Sequence, residues 1–237
     1  MPDYCLICHS EISPQTGWIA LISEEKEQTL CPTCKGKLEE INGPACVICN
    51  RPLNQLDPRF VCEQTCYDCI RWEEGPQWQG CLLQNQSIFH YNAFLQEVIA
   101  RYKFRGDYIL AKIFSESIQH KLTNEHNNNT LLVPIPLSPE RLRERGFNQA
   151  EALILETGLQ PANILTRIHT EKQSKKSRTE RIHVPQVFQL QPNTTLAGKN
   201  ILLFDDIYTT GSTLHHAAKL LMTNGAAAVS AITIARG

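Results

Sequence analysis

The sequence has no long hydrophobic run and almost no net charge. No stretch approaches the roughly 18 apolar residues that a membrane-spanning helix needs, so we expect no membrane insertion. Residues 1–5 lack the basic and apolar segments of a secretion signal, which favours a cytoplasmic protein. A formal net charge of −1 indicates no particular partner. With 42% hydrophobic and 20% charged residues over 237 positions, the composition excludes collagen-like and wholly disordered chains.

Cysteine, by contrast, is abundant near the N-terminus. Nine of the ten cysteines lie between residues 5 and 69, and eight of these form four successive Cys-x-x-Cys pairs. The third and fourth pairs are separated by 16 residues, as in a zinc ribbon, and the first and second by 22, enough for a hairpin with a strand at 18–22. Two such pairs complete one tetrahedral zinc site. The sequence therefore predicts about two zinc ions per chain, bound by Cys5, Cys8, Cys31 and Cys34 and by Cys46, Cys49, Cys66 and Cys69.

The all-cysteine ligand sets indicate structural zinc. A catalytic zinc usually keeps one coordination position open for water or substrate and has histidine or carboxylate ligands. A zinc ion with four cysteine ligands has no open position and instead stabilises a small fold that has few large apolar side chains. Four pairs in series also disfavour a thioredoxin-type redox pair. Of the cysteines outside the pairs, Cys62 could replace a ligand of the second site, and Cys81 is expected to be an ordinary buried thiol. His9 is expected at the surface.

Charge divides the chain where the cysteine pairs end. Residues 1–80 carry 6 Lys and Arg against 12 Asp and Glu, whereas residues 81–237 carry 17 against 12. We predict a double zinc-binding module at 1–80 and a second domain at 81–237, joined near the stretch 72–80.

The C-terminal part alternates strands with helices. Apolar residues at helical spacing predict helices at 93–103 and 109–122, a further helix starts at Ser138-Pro139, and Asn224-Gly225 ends a helix at 213–223. Short apolar runs predict strands at 131–135, 163–167, 187–190, 201–204 and 228–235. This alternation favours an α/β fold with a mainly parallel sheet and ligands at the carboxyl ends of its strands.

The segment 201–213 carries the most informative motif. An apolar strand is followed by Asp205 and Asp206, then by a turn of small residues that leads into a helix. Backbone N–H groups, a helix N-terminus and hydroxyl side chains make such a turn suitable for a phosphate. The two carboxylates would repel that phosphate and suit sugar hydroxyls or Mg²⁺ instead. Together these groups suit a ribose-5-phosphate. The alternative is a helix cap beside two solvated aspartates.

This segment resembles the motif with which type I phosphoribosyltransferases bind 5-phosphoribosyl 1-pyrophosphate (PRPP). The whole chain resembles the ComFC/GntX family, in which cysteine-rich zinc modules precede such a domain. Besides the cysteine pairs and the motif, the resemblance is carried by residues 102–107, by 133–136 with 145–149, and by 225–236. It implies a type I phosphoribosyltransferase fold with a mainly parallel sheet, preceded by a small four-cysteine zinc-ribbon module.

The resemblance also implies roles for individual residues. Asp205 and Asp206 would hold the ribose hydroxyls, directly or through Mg²⁺, and the backbone at 135–138 would take the place of the pyrophosphate-binding loop. The 5′-phosphate would be bound by Thr209, Thr210, Gly211, Ser212 and Thr213. The segment 167–181 would be the flexible loop, whose basic residues could neutralise the leaving pyrophosphate. The catalytic residue is unassigned. Lys175 and Arg178 are the candidates, and a solvated basic loop is the alternative.

At two positions the sequence differs from the proteins that it resembles. Thr209 stands where hypoxanthine-type enzymes carry an acidic residue that engages the base, which disfavours that kind of purine salvage. Lys176 replaces a usual leucine in the flexible loop. Any reaction that the resemblance implies would displace pyrophosphate from C1 of the ribose, with the protein positioning the reactants.

Three functions of different classes are consistent with these residues. The resemblance implies a cytoplasmic competence factor that binds PRPP and zinc and handles incoming single-stranded DNA together with competence-machinery proteins. The stretch 141–181, with nine Lys and Arg against five acids, allows phosphate contact without being a strong nucleic-acid signature. The alternatives are a phosphoribosyltransferase for an unidentified acceptor and a PRPP sensor without chemistry. A homodimer is compatible with all three.

Overall fold

The structure, a computed structural model, describes residues 3–12, 28–125, 129–168 and 187–237. The predicted strand at 18–22 lies outside these ranges, as do the catalytic candidates Lys175 and Arg178 and the departure at Lys176. In the described ranges, no helix combines the length and the apolar character needed to cross a membrane.

The N-terminal part consists of short elements built around the cysteine pairs. These elements are β1 (Asp3–Tyr4), β2 (Glu11–Ile12), α1 (Pro32–Lys35), β3 (Val61–Cys62), β4 (Thr65–Cys66) and α2 (Tyr67–Glu73). The strands form the antiparallel hairpins β1–β2 and β3–β4. The helix α1 begins after Cys31, whose Sγ accepts a hydrogen bond from the backbone N–H of Cys34 at 3.4 Å, and α2 begins after Cys66. The Cys31 side chain thus takes part in the turn that starts α1, whereas Cys66 precedes α2 without a side-chain cap.

The C-terminal part is a four-stranded parallel sheet flanked by helices. Its elements are β5 (Asn85–His90), α3 (Ala93–Phe104), α4 (Lys112–Glu125), β6 (Thr130–Pro134), α5 (Pro139–Arg145), α6 (Gln149–Leu155), β7 (Leu165–Arg167), β8 (Phe188–Leu190), β9 (Asn200–Tyr208), α7 (Ser212–Thr223) and β10 (Ala228–Arg236). The strand order is β5-β10-β9-β6, with every neighbouring pair parallel, and β7 and β8 form a separate antiparallel hairpin. The carboxyl ends of β6, β9 and β10 therefore share one edge, which we call the carboxyl edge.

Most predicted elements of the C-terminal part are confirmed, with two omissions. The predicted helices at 93–103 and 109–122 correspond to α3 and α4, and the latter is preceded by a 3₁₀ turn at Tyr108–Ala111. The strand β5 is missing from the prediction because its buried positions include Asn85 and Ser87, which interrupt the apolar run. Asn85 Nδ2 donates to Ser87 Oγ at 2.9 Å, and Ser87 Oγ lies 2.8 Å from Thr233 Oγ1, which offsets part of the cost of burying these side chains. The helix α6 was also missed.

The sheet separates two hydrophobic cores, and each includes one group of cysteines. Strand residues alternate between them: Leu202 and Phe204 belong to the first core, with α3, α4 and α6, whereas Leu203 belongs to the second, with α7. Three cysteines of the first set pack in the first core, and all four of the second set pack in the second. The cysteine-rich part is thus continuous with both faces of the sheet.

Candidate functional site

The eight paired cysteines come together as two groups of four. Within each group the Sγ atoms all lie within 4.8 Å of one another. The Sγ atoms of Cys8 and Cys31 are 3.7 Å apart, and those of Cys49 and Cys66 are 3.6 Å apart. A tetrahedral Zn²⁺ with Zn–S bonds of about 2.3 Å separates its sulfurs by about 3.8 Å. All ten cysteines are free of disulfides, so both groups have the composition and spacing of a four-cysteine zinc site.

The remaining cysteines take no part in these groups. Cys62 is exposed and lies outside the second group, so the expectation that it could replace a ligand there is wrong. Its position in the β3–β4 hairpin turns its side chain to solvent. Cys81 was expected to be buried, but it is half-buried. This partial burial raises the pKa of its thiol. His9 is exposed, as expected.

Asp205 and Asp206 lie next to each other at the carboxyl edge. The strand β9 continues through both residues to Tyr208, beyond its predicted end at 204, because its pairing with β10 extends to that point. Asp206 is on the side of the first core, where Lys103 of α3 pairs with it at 2.8 Å. The backbone N–H of Asp206 donates to Asp205 Oδ1 at 2.9 Å, which ties the two together.

The electrostatics of this pair favour a cation. Burial first, and the neighbouring charge of Asp206 second, raise the pKa of Asp205 to about 7. The hydrogen bond from the Asp206 N–H opposes this, and the charges of Lys103 and Arg167 oppose it less. Asp205 is half-buried, and a carboxyl whose pKa is raised by a neighbouring carboxylate is stabilised in its charged form by an added cation. Mg²⁺ prefers oxygen ligands and keeps one or two carboxylates in such sites. The two aspartates therefore fit a magnesium ion in composition and charge.

Two basic residues of the site were not assigned any role from the sequence. Lys103, near the end of α3, forms an ion pair of 2.8 Å with Asp206, and both side chains are only 15% exposed. Burial lowers the pKa of the Arg145 guanidinium at the end of α5, an effect that the nearby charges of Asp206 and Asp205 oppose. Both residues lie in stretches that carry the family resemblance, yet only the packing of α3 and α5 brings them to the aspartates.

The phosphate loop, residues 209–213, passes from β9 directly into α7. Gly211 has a φ of +78° and caps α7, which begins at Ser212, one residue before its predicted start. The backbone N–H of Ser212 donates to Thr210 Oγ1 at 3.4 Å. Across the described chain, no acceptor is recorded for the backbone N–H groups of Thr209, Thr210 and Gly211. The predicted phosphate-binding residues thus form one turn at a helix N-terminus, an arrangement that suits an anion.

The predicted pyrophosphate loop also lies at the carboxyl edge. It follows β6, and its first residue, Ile135, donates its backbone N–H to the carbonyl of Phe204 at 2.9 Å. The carbonyl of Ile135 accepts a hydrogen bond from Asn148 Nδ2 at 3.1 Å. The backbone at 135–138 is therefore next to β9, beside the two aspartates. Residues 169–181 of the predicted flexible loop lie outside the described ranges.

Comparison with known proteins gives consistent relatives over nearly the whole chain. The sequence profile of the phosphoribosyl transferase domain matches residues 115–237. Competence protein ComFC of Bacillus subtilis (strain 168) is 38% identical over 98% of this chain and 94% of its own length. ComFC of Streptococcus pneumoniae (strain ATCC BAA-255 / R6) is 31% identical over 98% and 99%. DNA utilization protein YhgH of Escherichia coli (strain K12) is 25% identical over 87% and 96%.

Solved structures give a weaker likeness. A hypoxanthine phosphoribosyltransferase from Staphylococcus aureus aligns with a TM-score of 0.33 and 16% identity, covering 52% of this chain and 61% of that one. An adenine phosphoribosyltransferase from Leishmania tarentolae aligns with a TM-score of 0.32 and 15% identity, covering 54% and 70%. Neither likeness carries an argument about substrate.

Proposed function

The chain belongs to the ComFC family of competence proteins, and we propose that it binds PRPP with Mg²⁺ and handles single-stranded DNA during natural transformation. Its C-terminal part is a phosphoribosyl transferase domain with a mainly parallel sheet, as the sequence predicts. The division of the chain between residues 80 and 81 stays a prediction, and so does cytoplasmic localisation. Lys175 and Arg178 stay candidates for a catalytic role.

One observation carries the PRPP proposal. Asp205, Asp206 and the phosphate loop meet at the carboxyl edge, with the backbone at 135–138 beside them. In our proposal, the amides of Thr209, Thr210 and Gly211 bind the 5′-phosphate, and the aspartates bind the ribose hydroxyls and Mg²⁺. The ion would supply positive charge next to the pyrophosphate. Lys103 and Arg145 lie close enough to the aspartates to add to that charge.

Calorimetric titration with PRPP and Mg²⁺ tests this assignment. The double variant Asp205→Asn/Asp206→Asn keeps the size of both side chains and removes both charges. We expect its affinity for PRPP to fall at least about tenfold, because Mg²⁺ and the ribose hydroxyls lose their charged acceptors.

A matched control is Asp57→Asn, because this carboxylate is on the zinc module and pairs with exposed Arg59. It should bind PRPP as the wild type does. No binding of PRPP by the wild type would contradict the proposed function, and equal binding by the double variant would contradict the assignment of the site.

A second surface, near the aspartates, supports the DNA part of the proposal. Phe104 is 72% exposed, and the guanidinium of Arg145 lies 5.4 Å from the centre of its ring. Arg141 and Arg143 are exposed on α5, and Arg105, which directly follows α3, is exposed as well. Exposed aromatic rings that stack with bases, together with arginines that contact phosphates, are typical of sequence-tolerant binding to single strands.

Fluorescence anisotropy with a labelled single-stranded oligonucleotide checks this surface. Phe104→Ala should weaken binding about five- to tenfold, because one base loses its stacking partner. Phe60→Ala is the control, since Phe60 is similarly exposed, at 52%, on the zinc module. If the two variants bind the oligonucleotide equally well, Phe104 does not contact the DNA.

A further inference from the structure

The second group of cysteines contacts the phosphate loop through a tryptophan. Trp72 is on α2, three residues after Cys69, and its Nε1–H donates to the carbonyl of Thr210 at 3.0 Å. Its ring also stacks on that of His215 in α7, with centroids 4.1 Å apart and planes within 8°. Trp72 is only 6% exposed and His215 is fully buried. The helix α2, which follows Cys66 and contains Cys69, is thus fixed both to the phosphate loop and to α7.

Arg236, at the end of β10, makes a second connection. Its guanidinium donates to the carbonyl of Tyr208 at 3.1 Å and to that of Thr209 at 3.0 Å. The same group lies 3.8 Å from the Sγ of Cys49 and is buried. A zinc ion with four thiolates carries a net charge of about −2, which would hold this cation in place.

These hydrogen bonds determine where the loop amides point. In a trans peptide the C=O and the following N–H point in opposite directions. The carbonyls of Thr209 and Thr210 are held by Arg236 and Trp72, from the side of the second cysteine group. The carbonyl of Tyr208 is held by Arg236 and also by the backbone N–H of Gly237. The N–H groups that follow them, those of Thr209, Thr210 and Gly211, are therefore turned away from that side. Within the described part of the chain, these three amides have no hydrogen-bond acceptor.

We propose that Trp72 and Arg236 are positioning residues, through which the second cysteine group and its zinc orient the amides that bind the 5′-phosphate. The inference rests on the proposed binding of PRPP and adds a second role to zinc that otherwise only stabilises the fold. Pre-oriented amides bind an anion without first losing conformational freedom. Because coupling between two sites is reciprocal, PRPP must in turn strengthen the retention of zinc in the second group.

The variant Trp72→Phe isolates the hydrogen bond to the loop. Phenylalanine keeps a ring to stack on His215 and removes the N–H donor. We expect the affinity for PRPP, measured by calorimetry with Mg²⁺, to fall about fivefold, the effect of one hydrogen bond. The control is Trp78→Phe, because Trp78 is equally buried at 6% and packs edge-on against Trp72 at 5.1 Å. It should bind PRPP as the wild type does, and both variants should retain two zinc ions per chain.

Competition for zinc with a chromogenic chelator, followed to equilibrium, gives a second measurement. In the wild type and in Trp78→Phe, saturating PRPP should raise the affinity for one of the two zinc ions about fivefold or more, as reciprocity requires. In Trp72→Phe, this increase in affinity should be smaller. The measurement on the wild type alone can refute the inference, even if Trp72→Phe does not fold.

The outcomes separate this inference from the proposed function. If the wild type binds PRPP but its equilibrium affinity for zinc is unaffected, or if Trp72→Phe binds PRPP as tightly as Trp78→Phe, the coupling is refuted and the PRPP site stands. If the wild type does not bind PRPP, the proposed function and the coupling are both refuted.

Discussion

Gly211→Ala is expected to abolish PRPP binding. Gly211 has a φ of +78°, a left-handed conformation that costs a residue with a Cβ roughly 1–2 kcal/mol. A Cβ at this position would also overlap the hydroxyl of Tyr208 and lie 3.1 Å from Cδ2 of His215. Tyr208 is 3% exposed and packed in the second core, so it has little room to move. We therefore expect the phosphate loop to move instead, which displaces the amides on both sides of Gly211.

Gly158→Ala is the control for the cost of placing alanine in a left-handed conformation, because it has that cost without the steric overlap. Gly158 has a φ of +82°, similar to that of Gly211, but a Cβ there would meet nothing within 4 Å. Thermal unfolding should show a loss of roughly 1–2 kcal/mol for Gly158→Ala and a larger one for Gly211→Ala. In calorimetry, Gly158→Ala should bind PRPP normally. Normal binding by Gly211→Ala would show that the loop does not hold the phosphate.

The sequence predicts those parts of the fold whose signals are local. Strands such as β6 and β9 appear as apolar runs because parallel strands are buried on both faces. The helix α6 gives no such signal. Its residues at 150 and 152–154 are all buried, so it lacks the polar face that marks a surface helix. Asn148 starts this helix by accepting a hydrogen bond from the N–H of Ala150 at 3.0 Å, and that capping signal was available in the sequence.

The candidate site divides in the same way. The aspartates and the phosphate loop are contiguous, so one stretch of sequence contains both the residues and the turn that brings them together. The groups around them are not contiguous: Trp72 and its acceptor on Thr210 are 138 positions apart, and Lys103 reaches Asp206 from a different helix. Their roles follow from the packing of α2 and α3 against the carboxyl edge, which no local pattern specifies.

Cys49→Ser is expected to have the largest effect on stability. Cys49 is 0% exposed, belongs to the second group of cysteines and shares a core with α7. The apparent free energy of zinc binding in structural sites is about 10–16 kcal/mol, as large as the whole stability of a typical domain, about 5–15 kcal/mol. Atomic absorption should give two zinc ions per wild-type chain and one per variant chain. Circular dichroism should show a much lower melting temperature for the variant, because the second group of cysteines no longer binds its metal.

Cys62→Ser makes the same chemical change where no metal is expected. Cys62 is exposed and outside both groups, so this variant should keep two zinc ions per chain and the wild-type melting temperature. The contrast therefore tests the grouping of the cysteines and not just their number. If Cys49→Ser kept both ions, the second group would not be a zinc site. If the wild type contained no zinc and had disulfides instead, the assignment of both groups would be wrong, and so would the role of Arg236 beside Cys49.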